Sequence, residues 1–269
     1  DDRTSRGLGD VYKRQQERII ELMSRPAERR LVWHEYRKIL VDETRVSQGI
    51  IFWRENEAAL ERAAKIYGVA PEIIVAIIGV ETRYGRIMGN FGVVDALSTL
   101  AFDYPPRAEF FRGQLTQHFL LSREEGKNPL SMQGSYAGAM GFGQFIPSSY
   151  RAYAVDFDGD GVRDIWANKT DAIGSVANYF AEHGWRGAEG VAERVTLGDE
   201  TSELRALINS GLKPTVTVAE WRTMGVQVGP EQDDSRLATL MRMEQESGNE
   251  YWLGYDDFYV ITRYNHSRL

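Results

Sequence analysis

One carboxylate stands where the pattern around it is apolar. In the stretch PEIIVAIIGVETRYG, residues 71–85, Glu81 interrupts a run of isoleucine, valine, alanine and glycine. Pro71 suits the first position of a helix, where its missing N–H is not needed. Glu72 then falls in the first turn, where a negative charge meets the positive end of the helix dipole. Ile73, Ile77, Glu81 and Tyr84 recur at helical spacing, so the pattern places Glu81 on a face shared with isoleucines. A carboxyl buried among apolar groups keeps its proton more readily, because burial penalises the charged form. That is the state a general acid needs near neutral pH. The same pattern also fits a buried glutamate that is simply paired with Arg83 or Arg86.

Two further stretches could do chemistry. Ser135 to Tyr150, SYAGAMGFGQFIPSSY, alternates small residues with aromatics and is almost free of charge. Gly138, Gly141 and Gly143 permit close backbone approach. Gln144 is an amide in apolar company, and a buried amide needs partners. It reads as part of a cleft wall that hydrogen-bonds a polar ligand, or as an internal cap in a tightly packed segment. Asp156 to Asp164, DFDGDGVRD, resembles the start of an EF-hand loop. Asp156, Asp158 and Asp160 would supply carboxylate oxygens and Val162 its backbone carbonyl, with Gly161 at the sharp turn; Asp164 could act directly or through water. Ala167 occupies the place of the usual bidentate glutamate, so a later acid must substitute, and Asp171 is the nearest. The alternative is a Gly-Asp turn that binds no metal.

Other chemistries lack their residues. The chain has no cysteine, which excludes disulfides, thiolate nucleophiles and cysteine-based metal sites. There is no Gly-x-Ser-x-Gly elbow, and His34, His118, His183 and His266 each stand alone. No zinc spacing and no nucleotide fingerprint occurs, so no organic cofactor is expected. The formal charge of −7 argues against nucleic acid as a partner. No apolar run is long enough to span a bilayer, and no signal peptide is visible. A glutamate among apolar residues, an amide- and aromatic-rich segment and a calcium-type loop together suit a glycan, whose sugars stack on rings and bond to amides. Glycoside cleavage usually needs two carboxylates. Asp95, Asp103 and Glu109 are candidates for the second, but Asp95 reads as a helix N-cap and Asp103 as part of a turn. With one carboxylate, the substrate would have to supply its own nucleophile, either an acetamido group or a C6 hydroxyl.

The elements that must position these groups are mostly helices. Residues 1–15 carry no hydrophobic period and read as a tail, with GDVYKRQ resembling a cloning or assembly scar. A helical region is expected over 16–70: Gln16–Met23, Leu31–Leu40, and one long amphipathic helix over Val46–Tyr67, capped by Ser47 and stopped by Gly68. The core, residues 71–184, adds a Gly-punctuated loop over 85–92, a helix over Asp95–Phe102, and a helix over Arg107–Glu125 with Phe110, Phe111, Leu115 and Phe119 inward. It ends with a helix over Ala172–His183, capped by Asp171 and ended by Gly184. Residues 185–257 read as a small β-containing region. Its strand-like runs are Val191–Leu197, Ala238–Gln245 and Tyr251–Gly254, with a short helix over 202–210 and a hairpin turn at Gly248-Asn249. Phe258–Thr262 reads as a fourth strand-like run, and residues 258–269 return to the core. The stop at Leu269, with no capped element after it, suggests that the natural chain continues.

IIGVETRYGRIMGN, GSYAGAMGFGQFIPSSY, DFDGDGVRDIW, DAIGSVANYF and FYVITRYNHS, in this order, resemble the MltB family of lytic murein transglycosylases. The resemblance runs from about Glu28 onward. It implies an α+β, mainly helical fold: a lysozyme-like core, a helical N-terminal region and a small β subdomain. It implies cleavage of the MurNAc–GlcNAc β-1,4 bond of peptidoglycan, leaving a 1,6-anhydro-MurNAc end, with Glu81 as acid and then as base. Ser135, Tyr136, Gln144, Tyr179, Tyr259, Tyr264 and Asn265 match positions that line the saccharide cleft. One structural Ca2+ maps to Asp156, Asp158, Asp160, Val162 and Asp171. Peptidoglycan strands are the implied partner, for a periplasmic monomer. An outer-membrane anchor would be carried by a segment outside this sequence. The family's final helix after the Tyr-Asn-His motif is also absent. A hydrolytic muramidase and a non-catalytic peptidoglycan-binding fragment remain open alternatives.

Overall fold

The computed structural model describes residues 17–24, 31–187, 190–199 and 201–265. They form a mainly helical α+β protein in two compact units. The first holds residues 17–24, Glu43–Ala63 and Pro71–Tyr179; the second holds residues 31–42, Ala64–Ala70 and 180–265. The expected tail, residues 1–15, and the chain end after Asn265 lie outside the described residues.

In the first unit the Pro71–Thr82 helix buries Ile74, Val75, Ile78, Gly79 and Thr82. Burying apolar surface at about 25 cal/mol per Å² is what fixes such a helix in place. The long helix expected over Val46–Tyr67 is two helices, Glu43–Glu55 and Glu57–Tyr67. Asn56 divides them: its side-chain Nδ2 donates to the Phe52 carbonyl at 2.7 Å, and its own N–H also points back to Phe52 and Trp53. An asparagine amide that competes for backbone carbonyls favours a break. Ser47 therefore lies inside the first of these helices instead of capping it. Gly68 does end the second, at φ 70°, where a left-handed residue is needed and glycine adopts it freely.

The Ala108–Glu124 helix turns a different face inward from the one its phenylalanines suggest. Phe111 is buried, but Phe110 and Phe119 are 39% and 48% exposed. The inward stripe is Phe111, Gln114, His118, Leu121 and Ser122. Its polar members are tolerated because each has a partner. Gln114 Oε1 accepts the Ser148 N–H at 3.0 Å. His118 Nε2 donates to the Pro129 carbonyl at 3.0 Å, and the Ser122 hydroxyl donates to the His118 carbonyl at 2.7 Å. Burial holds the His118 pKa below the usual histidine value, with the Pro129 carbonyl opposing. The unfolded chain therefore takes up a proton that the folded one resists. Stability contributed here is full above the ordinary histidine pKa and is lost as pH falls through it. We expect His118→Gln to flatten the fall in melting temperature between about pH 7 and pH 5, the range in which an ordinary histidine titrates. An unchanged slope in a thermal-melt series would refute this.

The second unit is built on a five-stranded antiparallel sheet in the order β4-β6-β7-β3-β5. Its strands are β3 (Ala192–Leu197), β4 (Val216–Thr217), β5 (Val226–Gln227), β6 (Leu237–Glu244) and β7 (Asn249–Gly254). β6 and β7 form the expected hairpin: Gly248 is left-handed at φ 86° and its carbonyl accepts the Gln245 N–H. Trp221, Leu204, Val218, Leu240 and Leu253 make the buried core beneath the sheet. Phe258–Thr262, expected as a strand, lies within a helix, Asp256–Asn265. Its β-branched composition loses to position. Asp257 is buried in the first turn and accepts the N–H groups of Arg186 and Gly187, both at 2.8 Å. Those bonds fix the start of a helix, where a carboxylate is favoured.

Candidate active site

Glu81 is the last residue but one of the Pro71–Thr82 helix, and it is half-buried. Full burial, expected from the sequence, is not what the fold provides. Ile73, Ile77 and Tyr84, its expected companions, are half-buried as well, while the neighbouring face of the helix carries the core. A carboxyl that must reach an incoming bond has to be accessible from one side.

The chain leaves this helix under strain. Arg83, Tyr84 and Gly85 are successive left-handed residues, at φ 48°, 61° and 84°. For the two that are not glycine such a conformation costs about 1–3 kcal/mol each, and it persists only where surrounding contacts impose it. Some of those contacts are visible. The Arg83 and Tyr84 N–H groups close the helix on the Gly79 and Ile78 carbonyls. The Thr82 hydroxyl accepts the Gly85 N–H at 3.0 Å and lies 3.0 Å from the Phe142 carbonyl, to which it can donate. A Cβ on Gly85 would stand 2.2 Å from the Phe142 ring, so only glycine fits there.

Thr82 therefore ties the end of the Glu81 helix to the glycine-rich segment 60 residues further on. That segment is a tight loop. Met140 and Phe145 exchange backbone bonds of 2.9 Å. The Ser135 hydroxyl accepts the N–H groups of Ala137 and Ala139 at 3.2 and 3.1 Å. Gln144, itself left-handed at φ 51°, donates through Nε2 to the carbonyls of Gly141 and Met88, at 3.0 and 3.3 Å. The short strands β1 (Phe91–Gly92) and β2 (Gln133–Gly134) pair alongside. Sequence reading left open whether Gln144 faces a ligand or caps backbone. Its amide nitrogen does the second, and among the described residues no protein donor reaches its Oε1. Tyr136 is half-buried.

The remaining expected cleft residues are distributed as follows. Tyr179 is 8% exposed and packs against Phe145 and Tyr153, at 6.0 and 5.1 Å between ring centres. Tyr259 and Tyr264 lie half-buried on the Asp256–Asn265 helix of the second unit. The Tyr264 ring stacks on Phe180 at 5.9 Å. Asn265 is the last residue of that helix. Of the alternative second carboxylates, Asp103 and Glu109 are exposed, and Asp95 sits in the first turn of the Val93–Phe102 helix, which Gly92 caps.

The acidic loop is pre-arranged. Ligand oxygens of Asp156, Asp158 and Asp160 lie within 4.8 Å of one another. Asp156 accepts the N–H groups of Gly159, Asp160 and Gly161, and Asp160 accepts that of Val162. Asn168 Nδ2 donates to Asp158 at 2.7 Å, which with the other hydrogen bonds holds that carboxyl below the usual aspartate range. Three converging carboxylates on a hard-oxygen loop fit a divalent cation such as calcium. Asp171 stands outside this group. It is fully buried, and its two oxygens accept the N–H groups of Phe157 and Asp164 at 2.7 and 2.8 Å. Burial pushes its pKa up, against those bonds. It is not the N-cap either: the helix runs Lys169–Glu182, and Asn168 Oδ1 accepts the Thr170 and Asp171 N–H groups. An asparagine followed three residues later by an acid was the sequence signal for this start. Thr82, the link from helix to loop, gave no such signal.

A family model described as "Transglycosylase SLT domain" matches residues 3–269. The chain is 47% identical over 235 residues to membrane-bound lytic murein transglycosylase B of Escherichia coli (strain K12). That match takes in 87% of this chain and 63% of the relative, so the chain spans less than two thirds of that relative's length. Among solved structures, the soluble lytic transglycosylase SltB1 of Pseudomonas aeruginosa superposes with a TM-score of 0.88 at 52% identity, covering 94% of this chain and 83% of that one. The Escherichia coli lytic transglycosylase Slt35 in complex with calcium gives 0.83 at 45% identity, covering 94% and 78%.

Proposed function

We propose that this chain, which belongs to the transglycosylase SLT domain family and to its MltB type of lytic murein transglycosylase, cleaves peptidoglycan without consuming water. The observation that carries the reading is the half-buried carboxylate-bearing Glu81 at a strained helix end, tied through Thr82 to the glycine-rich loop that holds Gln144. In the first step Glu81 gives its proton to the oxygen of the MurNAc–GlcNAc β-1,4 bond, and the bond from C1 to that oxygen breaks. The C6 hydroxyl of the same MurNAc then attacks C1. Glu81, now ionised, takes the hydroxyl proton, and a 1,6-anhydro ring closes. The proton lost by Glu81 is regained, so one carboxylate suffices where glycosidases use two.

Gln144 Oε1 would accept a hydrogen bond from a sugar hydroxyl or acetamide. Ser135 acts by holding the loop in shape, and half-buried Tyr136 beside it is a proposed cleft residue. We place the catalytic unit in residues 71–179. Tyr259, Tyr264 and Asn265, on the Asp256–Asn265 helix, are proposed glycan-binding residues. Asp156, Asp158 and Asp160, with the Val162 carbonyl, would hold a calcium ion that supplies rigidity to the loop and takes no part in bond cleavage; Asp171 supports their backbone. Peptidoglycan strands as partner and the periplasm as location follow from the same reading.

Mass spectrometry of soluble products from purified peptidoglycan tests it. We expect muropeptides ending in 1,6-anhydro-MurNAc, lighter by one water than reducing forms. Reducing ends would establish hydrolysis, and the absence of products would reduce the chain to a binding fragment.

A further inference from the structure

We propose that Tyr84 is a positioning residue for Glu81, acting as a wedge between the helix that carries Glu81 and the helix Glu43–Glu55. This rests on the reading of Glu81 as the catalytic acid. The observations are of three kinds. Tyr84 comes three residues after Glu81 and is held left-handed, a conformation its side chain must be anchored to keep. Its ring packs on Phe52 of the second helix, 5.4 Å between centres. And its hydroxyl end sits where two glycines make room. A Cβ on Gly49 would lie 2.5 Å from the Tyr84 oxygen, and a Cβ on Gly79 would lie 2.5 Å from the same atom. Gly49 belongs to one helix and Gly79 to the other.

Neither glycine is left-handed, so neither is required by its own backbone. Both are mid-helix, where alanine is the better helix former. Their only evident use is to admit the tyrosine. The seated ring in turn fixes the left-handed pair Arg83–Tyr84, and so the direction of the last turn, in which Glu81 lies. Burial raises the Tyr84 pKa, with Arg45 opposing, so the hydroxyl stays neutral in the seat.

The geometry makes the test specific, because the two glycines differ in what lies behind the oxygen. Behind Gly49 the next atom is ring carbon Cζ at 3.2 Å; behind Gly79 it is Cζ at 2.6 Å and then Cε1 at 2.9 Å. Removing the oxygen therefore relieves a Cβ at position 49 and leaves one at position 79 in collision. Initial rates on soluble glycan strands and thermal melts are measured for the full chain carrying Gly49→Ala, Tyr84→Phe, Gly49→Ala/Tyr84→Phe and Gly79→Ala/Tyr84→Phe. We expect Gly49→Ala to lower kcat at least tenfold with KM within about twofold, since a misplacement near 1 Å costs up to about a hundredfold in rate. Tyr84→Phe alone lowers kcat less than about fivefold, and the Gly49 double variant returns to that level while the Gly79 double variant does not. Should Gly49→Ala fail to fold, recovery of both folding and kcat in its double variant is the same result. Unchanged kcat in Gly49→Ala overturns the proposal, as does a loss that Tyr84→Phe leaves unrelieved, or one that appears wholly in KM. Glu81→Gln run alongside separates the two readings. If it stays active, the catalytic assignment has failed; if it is dead while the wedge variants behave as the parent, only the wedge has failed.

Discussion

Glu81→Gln is expected to lower the rate of peptidoglycan lysis by about 10²–10⁴-fold, the contribution typical of a positioned general acid and base. The substitution keeps the shape of the side chain and removes the proton that is given and regained. Glu81 is half-buried and accessible, so the variant should fold and melt close to the parent. The loss should fall on kcat, because an amide can still touch the sugar but cannot protonate the leaving oxygen. Glu81→Asp keeps the acid and withdraws it by one methylene; it should retain trace activity, lower by up to about a hundredfold. Binding of the inactive Glu81→Gln protein to insoluble peptidoglycan should persist. Lysis above about a tenth of the parent rate would show that another group is the acid, and the search would return to Asp95 and its neighbours.

Calcium should raise the melting temperature of the first unit, and Asp158→Ala should abolish the rise. An ion that binds only the folded state stabilises it by about 2.7 kcal/mol at a hundred times its dissociation constant. For a unit of this size that is a shift of roughly 5–10 °C. All three converging aspartates lie in the first unit, so where two transitions are seen only one should move. Asp158 is the informative position. Asp156 holds three backbone N–H groups of the loop and its loss would disturb the fold without any ion, whereas Asp158 is exposed and accepts chiefly from Asn168 and Asp160. Magnesium, which is smaller and demands a near-octahedral shell, should give a smaller shift at equal concentration. A melting curve indifferent to millimolar calcium would leave the loop as an Asp-Gly turn held by its own hydrogen bonds.

How much of this was legible beforehand depended on distance along the chain. The Glu81 helix with Pro71 at its start, the Gly68 stop, the hairpin at Gly248 and the acidic loop were all readable, because each signal is complete within a few residues. Where local signals competed, reading alone misjudged them. The aromatic residues of 107–125 suggested an inward Phe110 and Phe119; the fold instead buries Ser122, bonded within the helix to the His118 carbonyl, and Gln114 and His118, whose partners at Ser148 and Pro129 come from other segments. β-branched residues at 258–262 suggested a strand, and two amides from Arg186 and Gly187, some 70 residues earlier, fixed a helix.

The sequence by itself determined the chemistry on offer: a glutamate, Glu81, set among the apolar residues of a helix, a calcium-type loop, no thiol, no histidine pair, and a family resemblance carried by five ordered motifs. The tertiary structure decided how that chemistry is held. It set Glu81 half in and half out of the core, and bound its helix end to Phe142 through Thr82 across 60 residues. It brought Gln144 onto Met88 across 56 residues, turned Ser135 and Asp171 into braces, and seated Tyr84 between two glycines. These arrangements are contacts between segments far apart in the chain. Hydrophobic period and turn composition report only on a residue's neighbours in sequence, whereas the orientation of a catalytic group is set by its neighbours in space.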